Sequence, residues 1–283
     1  MLRFPTKGEY DRLLRDEERL FAARWLWGQS LREVTRDCGY ISGWCALCGR
    51  ATRFCYAAGQ TGEVNLREEL HCCHCKMNAR NRIAMQLGFA AVPDRSAQVY
   101  ATEQASSMFR RLVDHYPGAI GSEFYTEESE PRLSHYLRML FGEDAKLRFE
   151  DATRLNLDDA EFDLVMTSDV LEHVPDYRAA LAEFARILKP SGHLVLTVPF
   201  LNSDQQSIKR AQLRRDGSIE HLVEPEYHGD PVSPEGGVLA FHSFGWDLLD
   251  AVRAAGFWSA HWCLPWDPAQ AIFTGSWLVH AKR

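Results

Sequence analysis

A doubly wound α/β fold, with a mostly parallel seven-stranded sheet, is what the sequence predicts. The first observation behind this is the stretch FDLVMTSDVLEHVPDYRAALAEFARILKPSGHLVLTVPF, residues 162–200. Phe162–Met166 is a short apolar run that reads as a buried strand. Asp176 is a good helix N-cap, and behind it Tyr177, Ala180, Leu181, Phe184, Ile187 and Leu188 recur at helical spacing. Lys189-Pro190-Ser191-Gly192 is a stop and a turn, and Leu194–Val198 is a second buried strand. Strand, helix, strand in roughly 40 residues is a right-handed βαβ unit of a parallel sheet. The second observation is size and composition. With 283 residues, 46% apolar and 25% charged, the chain suits one large domain, alone or with a small one.

These residues resemble the second half of the class I S-adenosylmethionine-dependent methyltransferases, of the methyltransferase type 11 kind. The likeness lies in Phe162-Asp163-Leu164-Val165, Leu171-Glu172-His173-Val174, Leu188-Lys189-Pro190 and Val198-Pro199-Phe200. With weaker flanks it covers about residues 97–283. Ser191 replaces the first glycine of the usual Pro-Gly-Gly turn. The resemblance implies a Rossmann-like methyltransferase domain over residues 96–283 and S-adenosylmethionine as cofactor.

The net charge of −7 argues against a mainly electrostatic grip on nucleic acid. No apolar run approaches the roughly 20 residues that span a bilayer. Arg3, Lys7, Arg12 and Asp16 interrupt any signal-peptide core, so a cytoplasmic location is expected. Of eight cysteines, seven fall between Cys38 and Cys75, a clustering that points to metal rather than to a disulfide frame.

Residues 1–40 read as a helical arm. Leu13, Leu14, Leu20, Phe21 and Trp25 share a face, Trp25 and Trp27 are large enough to anchor it, and Gly28 is a candidate interruption. Residues 41–90 read as a zinc module. Cys45-Ala46-Leu47-Cys48-Gly49 is followed, with 23 residues between Cys48 and Cys72, by Cys72-Cys73-His74-Cys75. Two Cys-x-x-Cys turns supply four soft donors for a tetrahedral, structural zinc, assigned to Cys45, Cys48, Cys72 and Cys75. His71, Cys73 and His74 are alternates in the second knuckle. Cys38 and Cys55 read as buried small apolar residues. Lys76, Arg80 and Arg82 form a basic cluster beside the knuckle, of a kind seen in nucleic-acid binders; a solvated helix face is the plainer reading.

Ala97–Thr102 is the candidate first strand of the larger domain. In the resembled family this strand ends in a Gly-x-Gly loop at the cofactor. Here the loop is Thr102-Glu103-Gln104-Ala105-Ser106-Ser107, without glycine's freedom at positive φ. Ala119–Phe124 is the second strand, and Glu123 at its end is placed to accept hydrogen bonds from a ribose diol. Lys146–Glu150 is the third strand, followed by Asp151-Ala152, where the resemblance implies contact with adenine. The cofactor would thus lie across Glu103, Gln104, Glu123, Asp151, Ala152, Ser168 and Asp169.

His173, at the carboxyl end of the fourth strand, is the candidate general base, since imidazole suits neutral pH. Residues 201–242 are long for a connection and read as a substrate lid or wall. His221, Glu224, Glu226, Tyr227, His228 and Asp230 offer donors and acceptors for a hydroxylated or amino substrate, with His228 as a second catalytic candidate. Lys209, Arg210, Arg214 and Arg215 would meet an anion. A metal site from His221, His228 and Asp230 is a weaker reading. Phe244–Ala255 is a helix, and Phe257–Trp262 and Ser276–Ala281 are a last strand pair at the sheet edge.

The expected function is methyl transfer to an oxygen or nitrogen of a small polar or sugar-like acceptor. A non-catalytic scaffold of the same fold, and a nucleic-acid methyltransferase docking through the zinc module, are the alternatives.

Overall fold

The computed structural model describes residues 1–56, 65–229, 237–273 and 275–283. The chain divides into two units. One comprises Met1–Ala91 and His261–Leu278, the other Val92–Ala260 and Val279–Arg283. Residues 261–278, expected with the larger domain, therefore group with the N-terminal segment.

In the first unit, β1 (Leu2–Phe4) leads into α1 (Lys7–Asp16) and α2 (Glu18–Cys38). Thr6 caps α1 by accepting from the Glu9 amide, and the break between the helices falls at Glu17. Gly28 lies inside α2 and does not interrupt it. Three strands follow, β2 (Tyr40–Cys45), β3 (Arg50–Cys55) and β4 (His71–Cys72), in an antiparallel sheet of that order. The helix α3 (Ala79–Ala91) comes next.

The second unit holds the βαβ frame. Its elements begin with β5 (Val99–Ala101), α4 (Ser107–His115), β6 (Ile120–Gly121), α5 (Glu130–Phe141) and β7 (Phe162–Ser168). Then come α6 (Tyr177–Ile187) and β8 (Leu188–Thr197). Strands β5, β6, β7 and β8 are parallel. Phe162, Leu164, Val165 and Met166 are all fully buried, as befits a strand covered on both faces. Asp176 caps α6 through the Ala179 amide at 3.1 Å, as its position predicts. Ser191 adopts a φ of 69°, the left-handed conformation for which the resembled family uses glycine.

The described residues between 201 and 242 are not a plain loop but include a set of short paired strands. These are β9 (Ile208–Lys209), β10 (Ala211–Leu213), β11 (Ile219–His221), β12 (Tyr227–His228), β13 (Val238–Leu239) and β14 (His242–Ser243). They pair antiparallel as β10 with β11, β12 with β13, and β9 with β14. The chain then runs through α7 (Leu248–Ala254), β15 (Ser259–Leu264) and β16 (Leu278–Lys282).

Among the described residues the main sheet has seven strands in the order β1-β15-β16-β8-β7-β5-β6. The number matches expectation, but the membership differs. Lys146–Glu150 is not a strand; what remains is a parallel bridge from Glu123 to Phe149. The cause is local. Gln104 Nε2 donates to the Lys146 carbonyl at 3.1 Å, and its Oε1 accepts from the Arg148 amide at 2.8 Å. A side-chain amide has taken groups that a strand ladder would use. The seventh strand is β1, antiparallel to β15, so β15 is not the sheet edge.

Gly121 sets how closely the loop after β5 can lie. A Cβ there would stand 2.6 Å from both the Glu103 carbonyl oxygen and the Phe109 ring. Gly121→Ala is expected to destabilise the protein by about 1–3 kcal/mol. The urea midpoint reads this out, and an unshifted midpoint would mean the loop yields freely.

Among the described residues no helix is long and apolar enough to cross a membrane.

Candidate active site and metal knuckles

The four cysteines Cys45, Cys48, Cys72 and Cys75 converge in the first unit. Their sulfurs all lie within 4.8 Å of one another. Cys45 Sγ is 4.0 Å from Cys75 Sγ, and Cys48 Sγ is 3.9 Å from Cys72 Sγ. A zinc tetrahedron with Zn–S bonds of about 2.3 Å places its sulfurs roughly 3.8 Å apart. Both turns are built alike. The Gly49 amide donates to the Cys45 carbonyl at 2.9 Å, and the Lys76 amide to the Cys72 carbonyl at 2.8 Å. Gly49 and Lys76 have φ values of 61° and 62°, so each turn closes in the left-handed region directly after its second cysteine. The Cys75 thiol beside it draws Cys45 down to about 5, against the effect of burial. Burial, with Cys45 next to it, pushes Cys48 up to about 11. The Cys45 sulfur also raises Cys75.

Arg82 is fully buried, with its guanidinium 4.3 Å from the centre of the Phe54 ring and donating to the Gln270 and Ala271 carbonyls. Burial lowers its pKa, and the four nearby sulfurs oppose that. A buried cation beside four thiols is the counter-charge a tetrathiolate site needs. The expected exposed basic cluster is corrected accordingly. Arg82 faces no solvent, and Arg80 is bonded through Nε to Glu68 at 2.9 Å. Cys55 and Cys73 are joined by a disulfide. This takes Cys73 out of the second knuckle and corrects the reading of Cys55 as an isolated apolar residue. Antiparallel pairing of β3 with β4, Cys55 opposite His71, brings the two together. The side chain of Cys38 lies outside the described residues.

In the second unit the carboxyl ends of β5, β6 and β7 gather the predicted cofactor residues. Glu123 Oε1 accepts from the Gln104 and Ala105 amides, each at 2.7 Å. The carboxylate thereby closes the glycine-free loop from the neighbouring strand. Ser106 caps α4, accepting from the Phe109 amide at 2.9 Å. Asp151 Oδ1 accepts from the Thr153 amide at 2.8 Å and its hydroxyl at 2.7 Å, folding the turn that contains the half-buried Ala152. Glu103 is half-buried in the loop itself. Ser168 Oγ lies 3.8 Å from Met108 Sδ. Asp169 has a φ of 50° and accepts from the Thr197 hydroxyl at 2.8 Å. A left-handed aspartate at a strand end is strain of the kind stored at functional sites. An apolar cavity of about 440 Å³, lined by Phe109, Val113, Leu137 and Phe141, lies on the flank of β6 and includes none of the β7-end residues.

Directly after Asp169 the chain makes a 3-10 turn, Leu171–His173. Leu171 is its fully buried anchor, and Glu172 is also fully buried. The hairpin β12–β13 docks on this turn. The Phe241 amide donates to the Glu172 carbonyl at 2.7 Å, and the Leu239 carbonyl accepts from His173 Nδ1 at 2.9 Å. The register puts His228 opposite Val238, next to Leu239. A Cβ on Gly237 would meet the His228 carbonyl oxygen at 2.4 Å, so glycine is what lets this hairpin close. His228 and His173 then stand edge to face, ring centres 5.2 Å apart. His228 Nδ1 is 3.7 Å and His173 Nε2 is 3.8 Å from Glu172 Oε1. Both distances are too long for hydrogen bonds. Glu172 holds the His228 imidazolium up to about 8, against burial and with help from Glu226. Burial raises the Glu172 carboxyl, which His228 partly offsets.

Sequence reasoning placed Glu172 with His173 at the carboxyl end of the fourth strand, but gave Glu172 no role and did not bring it to His228. The available signal was the residue type, an acid inside an otherwise apolar Leu-Glu-His-Val turn. His221 is exposed and Glu224 is exposed, so they stay outside this cluster. Asp230 lies outside the described residues. Arg214 is spent on Glu220 at 3.1 Å, and Arg210 bonds Glu226 at 3.1 Å.

The chain is similar to several known proteins. The curated demethylmenaquinone methyltransferase of Mycolicibacterium gilvum is 50% identical over 46 residues, which is 16% of this chain and 20% of that protein. The chain thus matches about a fifth of that relative's length. An amino pentose methyltransferase of Micromonospora echinaspora, solved with S-adenosylmethionine bound, is similar at 18% identity. That match covers 72% of this chain and 91% of that one, with a TM-score of 0.47. An S-adenosylmethionine-dependent methyltransferase of Mesorhizobium loti is similar at 18% identity over 71% of this chain and 98% of that one, TM-score 0.46. The family model described as a methyltransferase domain matches residues 91–196.

Proposed function

We propose that the chain transfers a methyl group from S-adenosylmethionine to an oxygen or nitrogen of a small polar or sugar-like acceptor, and that its N-terminal knuckles hold a structural zinc. The observation that supports this best is the cluster of Glu172, His173 and His228 at the carboxyl end of β7, next to the strained Asp169. Ligands enter open α/β sheets at that end.

The residues fit the cofactor. Glu103, Glu123, Asp151 and Asp169 make an acidic rim across the ends of β5, β6 and β7, suited to a cationic sulfonium, an ammonium and ribose hydroxyls. When bound, S-adenosylmethionine supplies an electrophilic methyl group. The chain's own part is to orient and to manage protons. Glu123, with Gln104 and Ala105, fixes the loop on the ribose side. Ser168 and Asp169 hold the methionine side, and Ala152 offers a small surface to the adenine. His173 keeps its Nδ1 proton on the Leu239 carbonyl, so Nε2 faces the acceptor as a base. The acceptor is held in line by the β12–β13 hairpin. The four-cysteine set leaves no open coordination position and so serves folding.

A second reading, a non-catalytic binding module of the same fold, has one observation in its favour: Glu123 Oε1 already accepts from two loop amides. Calorimetry on Glu123→Ala separates the two. If the carboxylate shapes the cofactor site, affinity for S-adenosylmethionine falls by about 1–3 kcal/mol. Unchanged affinity removes Glu123 from the site. Release of S-adenosylhomocysteine in the presence of hydroxylated and amino acceptors, scored by mass spectrometry, tests the transfer itself.

A further inference from the structure

We propose that Glu172, His173 and His228 are the protein ligands of a second metal centre, one that takes a divalent first-row transition ion and presents it to the acceptor. The acceptor part rests on the methyl-transfer reading; the metal part does not.

The argument starts from Glu172. It is fully buried, and neither carboxylate oxygen has a hydrogen-bond partner among the described residues. Such a group is costly unless something charged meets it. The two histidines approach it without closing to hydrogen-bond distance, at 3.7 and 3.8 Å. One ligand atom from each of the three lies within 4.8 Å of the others. An ion bound at about 2.0–2.2 Å by nitrogen and oxygen holds its donors roughly 3–3.5 Å apart. Each histidine nitrogen therefore needs to close on the carboxylate by only a few tenths of an ångström.

The outer contacts point the same way. A metal-bound histidine usually gives its other ring nitrogen to a carbonyl or carboxylate. Here His173 Nδ1 donates to the Leu239 carbonyl at 2.9 Å, leaving Nε2 toward Glu172. His228 Nε2 donates to Glu226 Oε1 at 3.0 Å, leaving Nδ1 toward Glu172. Glu226 is in turn held by Arg210 at 3.1 Å. Each histidine is thus fixed by its remote nitrogen and aimed by its near one. Two imidazoles and one carboxylate suit zinc, manganese, iron or cobalt better than magnesium or calcium, and three protein ligands leave positions open. An acceptor hydroxyl or amine on such a position would be polarised where the methyl must arrive, so with metal bound the ion, rather than a free His173 Nε2, would make the acceptor give up its proton.

The test is titration of the zinc-replete full-length protein with Mn²⁺, followed by electron paramagnetic resonance of the free ion. The expected result is about one Mn²⁺ per chain with micromolar affinity, as for open three-ligand sites. Glu172→Gln, which keeps the shape, should weaken binding by at least 10-fold, and His228→Ala likewise. Glu226→Ala should weaken it roughly 10- to 100-fold through loss of orientation. His221→Ala, an exposed histidine of the same segment, should change nothing. Near-UV circular dichroism checks that each variant is folded. No uptake at millimolar Mn²⁺, or uptake indifferent to Glu172→Gln, overturns the proposal. Mn²⁺ uptake without S-adenosylmethionine binding would leave the metal centre standing and sink the methyl-transfer reading. Methyl transfer without uptake would do the reverse.

Discussion

Cys45→Ser is expected to lower bound zinc from about one ion per chain to nearly none and to unfold the knuckle sheet. Cys45 is fully buried, at the end of β2, within reach of all three partner sulfurs. Serine offers a hard oxygen in place of a soft thiolate, and the remaining three donors cannot close a tetrahedron. The consequence spreads because Arg82 is buried beside the sulfurs. Without the tetrathiolate charge it becomes a buried cation that, among the described residues, is held by neutral carbonyls and the Phe54 ring, an arrangement that costs several kcal/mol. Metal content by mass spectrometry and limited proteolysis of residues 40–91 read the outcome. Full zinc occupancy in the variant would take Cys45 out of the ligand set. The Cys55–Cys73 disulfide is not expected to compensate, since it ties β3 to the second knuckle only and leaves the first one unheld.

His173→Ala is expected to slow turnover by on the order of 10²-fold or more while leaving affinity for S-adenosylmethionine near its normal value. The two effects separate because His173 sits on the turn after β7, held by Leu239 of the hairpin, whereas Glu123 holds the amides of the loop after β5. Initial-rate kinetics with calorimetry on the same preparation decide it. A loss of cofactor affinity matching the loss in rate would make His173 a structural residue of the turn. A rate near normal would remove it from the chemistry.

How much of this could be read from residues alone depends on how local the determinants are. The βαβ unit was legible because each of its signals is short-range: the Phe162–Met166 run, the Asp176 cap and the helical stripe behind it. The Cys-x-x-Cys knuckles were legible for the same reason. What escaped depends on long-range pairing. Nothing near Leu2–Phe4 announces that it will add to β15, about 260 residues away by their numbers. Lys146–Glu150 looks like a strand, and only the Gln104 side chain, 42 residues earlier, explains why it is not one. Glu172 and His228 meet through hairpin register, which no spacing between positions 172 and 228 encodes. The disulfide of Cys55 with Cys73 likewise follows from the antiparallel pairing of β3 and β4. Arg82 reads as a surface charge in sequence because burial of a cation is visible only once its carbonyl and ring partners are placed.

The glycine-free loop Thr102–Ser107 is where the account is most exposed. Its closeness to the neighbouring strand is secured by Gly121 on β6, not by a glycine of its own, and its amides are held by Glu123. Calorimetric titration of the wild-type protein with S-adenosylmethionine therefore asks the central question in one step. The account predicts a single site of micromolar affinity; absence of heat at millimolar ligand would contradict it.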